Sequence, residues 1–324
     1  MASEGSRRSS GGRFWGRGFR PDPVLLTLAI LIATWAFSLV RIEGYRSLDY
    51  NLFTLRITAF LAIVAAGQTL VVLMGGIDLS IAAVISLAGV LGGNLINQFG
   101  QVGGITATLA IAGLVGFANG VGIVTLRLPP LVMTLASLSI IQGGLLIYNA
   151  GNPVSGQSPL LDQLANGNVG GVPSPVLVLA VVAAIGVFLL HRTVYGRGVY
   201  AIGTNPRAAE LSGVPVARVQ IATYVLCSLT AGVTGLLILG WTSYSYLNMG
   251  DPYLLSSIAA VVVGGTSILG GRGKLIGTIL GALLLNILVN ILTVEQIPEA
   301  GRMMVQGGLI LALLLVYALA EETR

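Results

Sequence analysis

The stretch GGTSILGGRGKL, residues 264 to 275, is the part of this sequence closest to a catalytic motif, because a glycine-rich turn followed by lysine is typical of phosphate-binding loops. Such a loop needs an earlier glycine, for the tight backbone cradle, and a serine or threonine after the lysine, which binds magnesium. Ile268 and Leu275 occupy these two positions. The motif therefore does not predict ATP hydrolysis, and we expect neither catalytic residues nor a cofactor in this chain.

Ionisable side chains are scarce inside the apolar runs of the chain. Asp78, His191 and Asp251 come closest, and each lies near the end of a run. Carriers driven by ion gradients usually place a charged group or an unwound helix near mid-membrane, because something there must change charge or coordinate the ion. His191 and Cys227 are the one histidine and the one cysteine, which leaves no ligand set for a transition metal. We expect neither a metal site nor a coupling-ion site.

Neutral polar side chains are the remaining groups that could contact a solute. They can hydrogen-bond an uncharged polar molecule, and they can equally join one helix to another. Within the runs we select Asn94, Asn119 and Gln142 as candidates for a translocation path. A second group combines aromatic and polar side chains after a later run; it consists of Tyr244, Tyr246, Asn248 and Asp251.

The composition places these residues in a membrane. Of the 324 residues 55% are hydrophobic and 9% charged, whereas about a quarter are charged in soluble proteins. The apolar runs are long and continuous, which favours helices over a barrel, and a span needs about 20 residues. The runs lie near 24 to 40, 54 to 74, 80 to 97, 103 to 125, 131 to 148, 175 to 190, 219 to 241, 255 to 269, 275 to 294 and 303 to 320. We predict an all-α membrane protein with about ten transmembrane helices.

Ten spans place both termini on one side of the membrane, and the distribution of the 17 lysines and arginines indicates which side. The terminal side collects Arg7, Arg8, Arg13, Arg17, Arg20, Arg127, Arg192, Arg197, Arg207, Arg218, Arg272, Lys274 and Arg324. The other side has Arg41, Arg46, Arg56 and Arg302. By the positive-inside rule, both termini are cytoplasmic. Residues 1 to 20 are expected to form a basic disordered tail, and residues 21 to 324 a single transmembrane domain.

The lysines and arginines behind the net charge of +5 therefore indicate how the spans are oriented in the membrane, and we expect no nucleic-acid partner. The longest internal cytoplasmic connection runs from about residue 191 to 220. Within it, NPRAAELSGV predicts a short helix: Asn205 suits the cap, Pro206 suits the first turn, and Gly213 can end it.

This short helix offers a surface to a cytoplasmic partner. Its small alanine face could enter a groove of the partner while Arg207 and Glu210 stay at a polar rim. A chain without its own energy source needs such a surface to receive force. The alternative is an interfacial helix that lies on lipid headgroups.

Three motifs together carry a family resemblance: GGIDLS at 75 to 80, GRGVYAIGTNPRAAELSGVPVARV at 196 to 219 and AAVVVGGTSILGGRGKLIGT at 259 to 278. In residue type, order and spacing they resemble permease subunits of bacterial ABC sugar importers, in the ribose-type branch. The resemblance extends from about residue 55 to 320. Permeases for branched-chain amino acids and for nucleosides belong to the same broader family.

The resemblance implies a homodimer in the bacterial inner membrane with the solute path at the dimer axis. A cytoplasmic ABC ATPase would hold ATP and magnesium, and a periplasmic or lipid-anchored solute-binding protein would deliver the solute. The motif match assigns ATPase coupling to Gly203, Asn205, Arg207, Ala208, Ala209, Glu210, Leu211 and Gly213. It assigns a structural signature to Asp78, Gly264, Gly265, Gly270 and Gly271. The position of Asp78 at the start of the third span favours a helix cap, with substrate contact as the alternative. The outward group Tyr244, Tyr246, Asn248 and Asp251 could then meet the sugar or the binding protein.

The function implied is ATP-driven import of a small neutral solute, with a monosaccharide such as ribose as first choice. Two departures from the ribose-type pattern bear on the cargo: Ile81 and Ala82 follow GGIDLS where Val-Gly is frequent, and Gln142 stands where many members have arginine. A branched-chain amino acid or a nucleoside is the alternative cargo, and an ion-coupled secondary carrier is the alternative mechanism. An amino acid carries two charges, and the spans offer no paired cation and anion to receive them.

Overall fold

The computed structural model describes residues 22 to 156, 158 to 308 and 311, and these are almost entirely helical. The helices are α1 (Pro23–Arg41), α2 (Leu48–Leu73), α3 (Ile81–Thr125), α4 (Pro130–Asn149), α5 (Pro159–Asn166), α6 (Ser174–Arg192), α7 (Val194–Thr204), α8 (Pro206–Leu211), α9 (Val216–Thr242), α10 (Asp251–Val263) and α11 (Leu275–Val294). Glu43–Arg46 form a 3-10 turn, and residues 299 to 308 are helical. The predicted basic tail lies outside the described residues, as does most of the predicted tenth span.

Strands are confined to two short antiparallel pairs in the described part of the chain. β1 (Val154–Ser155) pairs with β4 (Tyr244–Ser245), and β2 (Asn168–Val169) pairs with β3 (Val172–Pro173). Seven described helices are long and apolar enough to cross a bilayer. The predicted all-α membrane class is confirmed.

α3 supplies two of the predicted spans. Its 45 residues exceed one bilayer crossing, and Gly100 interrupts the helix with φ 72° and ψ 175°. The two halves run side by side: a side chain added at Gly104 would lie 2.5 Å from the Ile96 Cα, and at the other end Asn119 donates to Ser80. The third and fourth spans thus form a hairpin that turns at Gly100.

α2 is the central helix of the bundle. It is buried on every side from Thr58 to Leu73, whereas α1, α4 and α6 keep most of their surface exposed. A helix that is apolar and enclosed all round belongs in a core, and the peripheral helices present their apolar surface to lipid. α9 packs along both α2 and α3 and runs from α8 at one end of the bundle to β4 at the other. We call these the α8 end and the β4 end.

α10 corrects the prediction for the eighth span, which was placed at residues 255 to 269. The helix begins at Asp251 and ends at Val263. It ends there because Gly265 adopts a left-handed conformation with φ +85°, while the Thr266 N–H donates back to the Val261 carbonyl. The segment between β4 and α10 returns into the bundle, since the Gly250 N–H donates to Ser86 Oγ at 3.1 Å, in the first half of α3.

The hairpin within α3 generates a stability prediction. We expect Gly104→Ala to lower the melting temperature in detergent, because the new methyl group meets the Ile96 backbone, and overpacking of this kind costs about 1–3 kcal/mol. Gly113→Ala in the same helix is the matched control, since its methyl group would lie 3.5 Å from Leu229, an ordinary contact. Equal melting temperatures for the two variants would contradict the close packing at Gly104.

Candidate functional site

α8 has the local structure that its sequence predicts. The Asn205 side-chain oxygen accepts the Ala208 N–H at 3.0 Å, and Pro206 occupies the first turn. Gly213 ends the helix with φ +82°, and its N–H donates to the Glu210 carbonyl at 2.9 Å. Because this conformation favours glycine, Gly213 shapes the helix end. The predicted cap, first turn and stop are confirmed.

The two alanines of α8 do not form the one exposed face that the sequence predicted, because only Ala208 is open to a partner. Ala209 is 4% exposed and packs into an apolar cluster with Val199, Ile202 and Val219, whereas Ala208 is exposed. Arg207, Glu210 and Leu211 are exposed as well, Leu211 by 84%. The candidate coupling surface is therefore a small, mixed polar and apolar face. The part these residues play in coupling stays a prediction.

α7 is a helix that the sequence analysis missed, and it fixes α8 to the bundle. Gly203 near its end lies so close to the Leu73 carbonyl of α2 that no side chain fits there. The Gly271 N–H donates to the same carbonyl at 2.8 Å, and the Tyr200 hydroxyl donates to the Gly273 carbonyl at 3.0 Å. α7 thus rests on the end of α2 and on the turn between α10 and α11.

The signature glycines build that turn. Gly270 and Gly271 have φ +87° and +72°, and both lie against the end of α7. Lys274, which closes the turn, forms a 2.6 Å ion pair with Asp22 at the start of α1. The hydrogen bond from Lys274 and one from the Val24 N–H hold the pKa of Asp22 below its ordinary value. The turn between α10 and α11 therefore also contacts α1, α2 and α7 at the α8 end.

Asp78 sits in the connection between α2 and α3 and is completely buried. The N-cap of α3 is Ser80, which corrects the prediction that Asp78 caps this span. One carboxyl oxygen of Asp78 accepts from the Ser80 N–H at 2.9 Å and from the Ser80 hydroxyl at 2.6 Å. The other oxygen has no partner among the described residues. Asp78 therefore orders the chain that leads into the cap.

The network continues from Ser80 to α4. Asn119 Nδ2 donates to Ser80 Oγ at 2.9 Å, and its oxygen accepts from Ser137. Thr134 Oγ1 accepts the Leu79 N–H at 3.1 Å. Asn119 was predicted to line a translocation path, but it is fully buried within this network, where it joins helices.

Three of the predicted outward residues gather at one cleft. A cleft of about 480 Å³ lies between α2, α10, α11 and residues 299 to 308. Tyr246, Asn248 and Asp251 line it, and Gln142 Nε2 donates to Asp251 Oδ1 at 3.3 Å. Its other polar lining residues are Tyr253, Ser256, Asn286, Glu299 and Gln306. Eight lining residues thus carry polar groups, while most of the exposed wall surface is apolar. Apolar walls with polar groups that fix orientation are typical of small-molecule sites.

The remaining candidates lie elsewhere. Asn94 donates to the Tyr148 hydroxyl at 3.2 Å, and Tyr244 is an exposed residue of β4. Both are at the β4 end. The structure thus brings Gln142 together with Asp251 and places Tyr246 and Asn248 beside them. Sequence patterns carry no signal for the first pairing, because the two residues are 109 positions apart.

Comparison with known proteins gives matches along most of the chain. Residues 50–314 match the family model for the permease component of the branched-chain amino acid transport system. The chain is 35% identical to the ribose import permease protein of Escherichia coli K12 over 82% of its length and 85% of that protein. It is 32% identical to the ribose import permease protein of Haemophilus influenzae (93% and 94%) and 31% identical to the fructose import permease protein of Rhizobium meliloti (82% and 77%). No solved structure matches.

The Asp78 network generates a second prediction. We expect Asp78→Asn to keep the melting temperature near that of the wild type, because the amide oxygen can still accept from Ser80 and a neutral group is cheaper to bury. Asp78→Ala leaves the Ser80 donors without an acceptor and is expected to cost about 1–3 kcal/mol. If Asp78→Asn were as unstable as Asp78→Ala in detergent melts, the carboxylate charge itself would be required.

Proposed function

Because this chain belongs to the family of branched-chain amino acid transport system permease components, we propose that it is the membrane-spanning subunit of an ATP-driven ABC importer for a monosaccharide such as ribose. It is a multi-pass protein of the inner membrane. The observation that carries the proposal is α8, an exposed helix seated through α7 on α2 and on the turn before α11. This is the surface through which a partner can drive the bundle.

The energy would come from a cytoplasmic ATPase that holds ATP and magnesium. When the ATPase closes, it would draw together the α8 helices of two copies of this chain and tilt the bundles from inward to outward access. The α8 end is then the cytoplasmic end. The exposed cations Arg192, Arg197, Arg207 and Arg218 lie there, in agreement with the positive-inside rule.

A neutral, hydroxyl-rich cargo fits the cleft at Asp251. The described walls contain no lysine or arginine, so the carboxylate of an amino acid would meet no cation there. Tyr246, Asn248 and Asn286 offer donors and acceptors suited to hydroxyl groups. The relatives named above for ribose and fructose import support a sugar. A periplasmic or lipid-anchored binding protein would deliver the sugar to the β4 end.

Uptake by reconstituted vesicles tests the function. The chain is reconstituted with its ATPase and its binding protein. We expect ribose uptake that requires ATP on the side of the membrane where the ATPase is bound. Leucine and a nucleoside are offered as competitors and are expected not to reduce ribose uptake. Uptake without the ATPase under an ion gradient would contradict the importer mechanism, and preferential uptake of leucine or the nucleoside would contradict the sugar.

The coupling surface has its own prediction. We expect Ala208→Trp to lower ATP-dependent uptake by at least about tenfold, the loss that a clash worth about 1.4 kcal/mol at an interface produces. The melting temperature should not change, because Ala208 is exposed. Ala184→Trp, on the exposed surface of α6, is the matched control and should transport normally. Normal transport by Ala208→Trp would show that α8 is not part of the contact with the ATPase.

A further inference from the structure

A second groove, of about 670 Å³, lies between α1, α2 and α11. Apolar side chains form its walls, among them Leu31, Leu39, Leu283 and Ile287. α1 packs mainly on α11 and on the 3-10 turn, and its other surfaces expose large apolar side chains such as Leu25, Ile32 and Phe37. The groove therefore opens toward the surface that faces hydrocarbon.

An arginine stands at the β4-end mouth of this groove. Arg46 donates from Nε to the Leu39 carbonyl at 3.1 Å, which holds its side chain over the opening. Its two terminal nitrogens have no acceptor among the described residues. The other three cations of this end are occupied: Arg41 pairs with Glu295, Arg302 pairs with Glu299, and Arg56 binds Asn168 and lies over Trp241.

The polar groups beside Arg46 are already satisfied by the protein. Trp35 Nε1 donates to Asn51 Oδ1 at 3.1 Å, and Asn51 Nδ2 donates to the carbonyls of Tyr45 and Ser47 at 2.7 Å each. Among the described residues at the mouth, the terminal N–H groups of Arg46 are thus the charged donors that remain without an acceptor. Below Arg46 the lining is mainly apolar. The site therefore consists of a cationic head, formed by Arg46, and an apolar shaft between α1, α2 and α11.

The length of the shaft fits one leaflet. From Leu31 to Leu39, α1 rises about 12 Å at 1.5 Å per residue. Half of a hydrocarbon core is about 15 Å thick. A second transmembrane helix crosses both leaflets, about 30 Å, so it would need a longer face and would leave the terminal nitrogens of Arg46 unpaired.

We propose that this groove binds one phospholipid, with its phosphate on Arg46 and an acyl chain between α1, α2 and α11. Arginine pairs well with phosphate because its planar donors match two phosphate oxygens. The lipid fills the gap beside α1, on the side that does not pack on α11. The site does not depend on which solute the protein carries.

Native mass spectrometry of the full chain in mild detergent tests the proposal. Dioleoyl phosphatidylglycerol is titrated against dioleoylglycerol, which has the same chains and no phosphate. We expect one tightly retained phosphatidylglycerol in the wild type. Arg46→Gln should weaken its retention by at least about tenfold, the effect of losing a charge-assisted pair worth about 1.5–3 kcal/mol, and should leave dioleoylglycerol unaffected.

Two further variants keep the outcome decisive. Arg41→Gln is the matched control, because its guanidinium is engaged by Glu295, and it should retain phosphatidylglycerol as the wild type does. Ile32→Trp fills the shaft from an exposed position on α1 and should expel the lipid with Arg46 intact. Retention unchanged in both Arg46→Gln and Ile32→Trp would overturn the proposal. A dimer that dissociates when Ile32 is replaced by Trp would also overturn the proposal, because a second copy of the chain would then occupy the groove.

Discussion

A connection that is buried inside the protein has backbone groups that only the protein can satisfy, and this constraint governs the bundle. Two connections face it here, the one between α2 and α3 and the one between β4 and α10. The first is held by Thr134, which accepts the Leu79 N–H at 3.1 Å, and the second by Ser86, which accepts the Gly250 N–H at 3.1 Å. Each break is therefore fixed by a neighbouring helix, and both become contact points in the bundle.

These contact points link the candidate coupling surface to the cleft. α7 carries α8 and rests on Leu73, where α2 ends. The next residues lead through the buried Asp78 network into α3, and Ser86 of α3 binds Gly250, the neighbour of Asp251. A displacement of α8 relative to α2 would therefore act on the connection between α2 and α3, and this connection leads to the residue of α3 that holds the cleft in place. Close-packed backbone at Gly203 and Gly250 transmits such a movement as a rigid shift, because there is no side chain to yield.

Local chemistry explains what the sequence predicts well. Most of the apolar runs, the cap at Asn205 and the stop at Gly213 depend on neighbours a few residues away, and these are confirmed. The eighth run was placed wrongly, and most of the tenth lies outside the described residues. α7 was missed because its three glycines oppose helix formation, and packing on α2 and on the turn before α11 overrides them. α5 is not among the predicted elements, although the Ser158 side chain caps it by accepting the Leu161 N–H. The meeting of Gln142 with Asp251 depends on tertiary packing, which no local pattern encodes.

The chemistry of the cleft bears on how a solute passes through. Asp251 is paired with the neutral amide of Gln142, so no cation compensates its charge at this contact. An anion is repelled, whereas a hydroxyl group can donate to the carboxylate. The walls are otherwise largely apolar, so a sugar loses most of its water and recovers only some hydrogen bonds. If the cleft receives the solute, we expect weak binding there, and weak binding lets a transported solute leave, whereas a tight site would retain it.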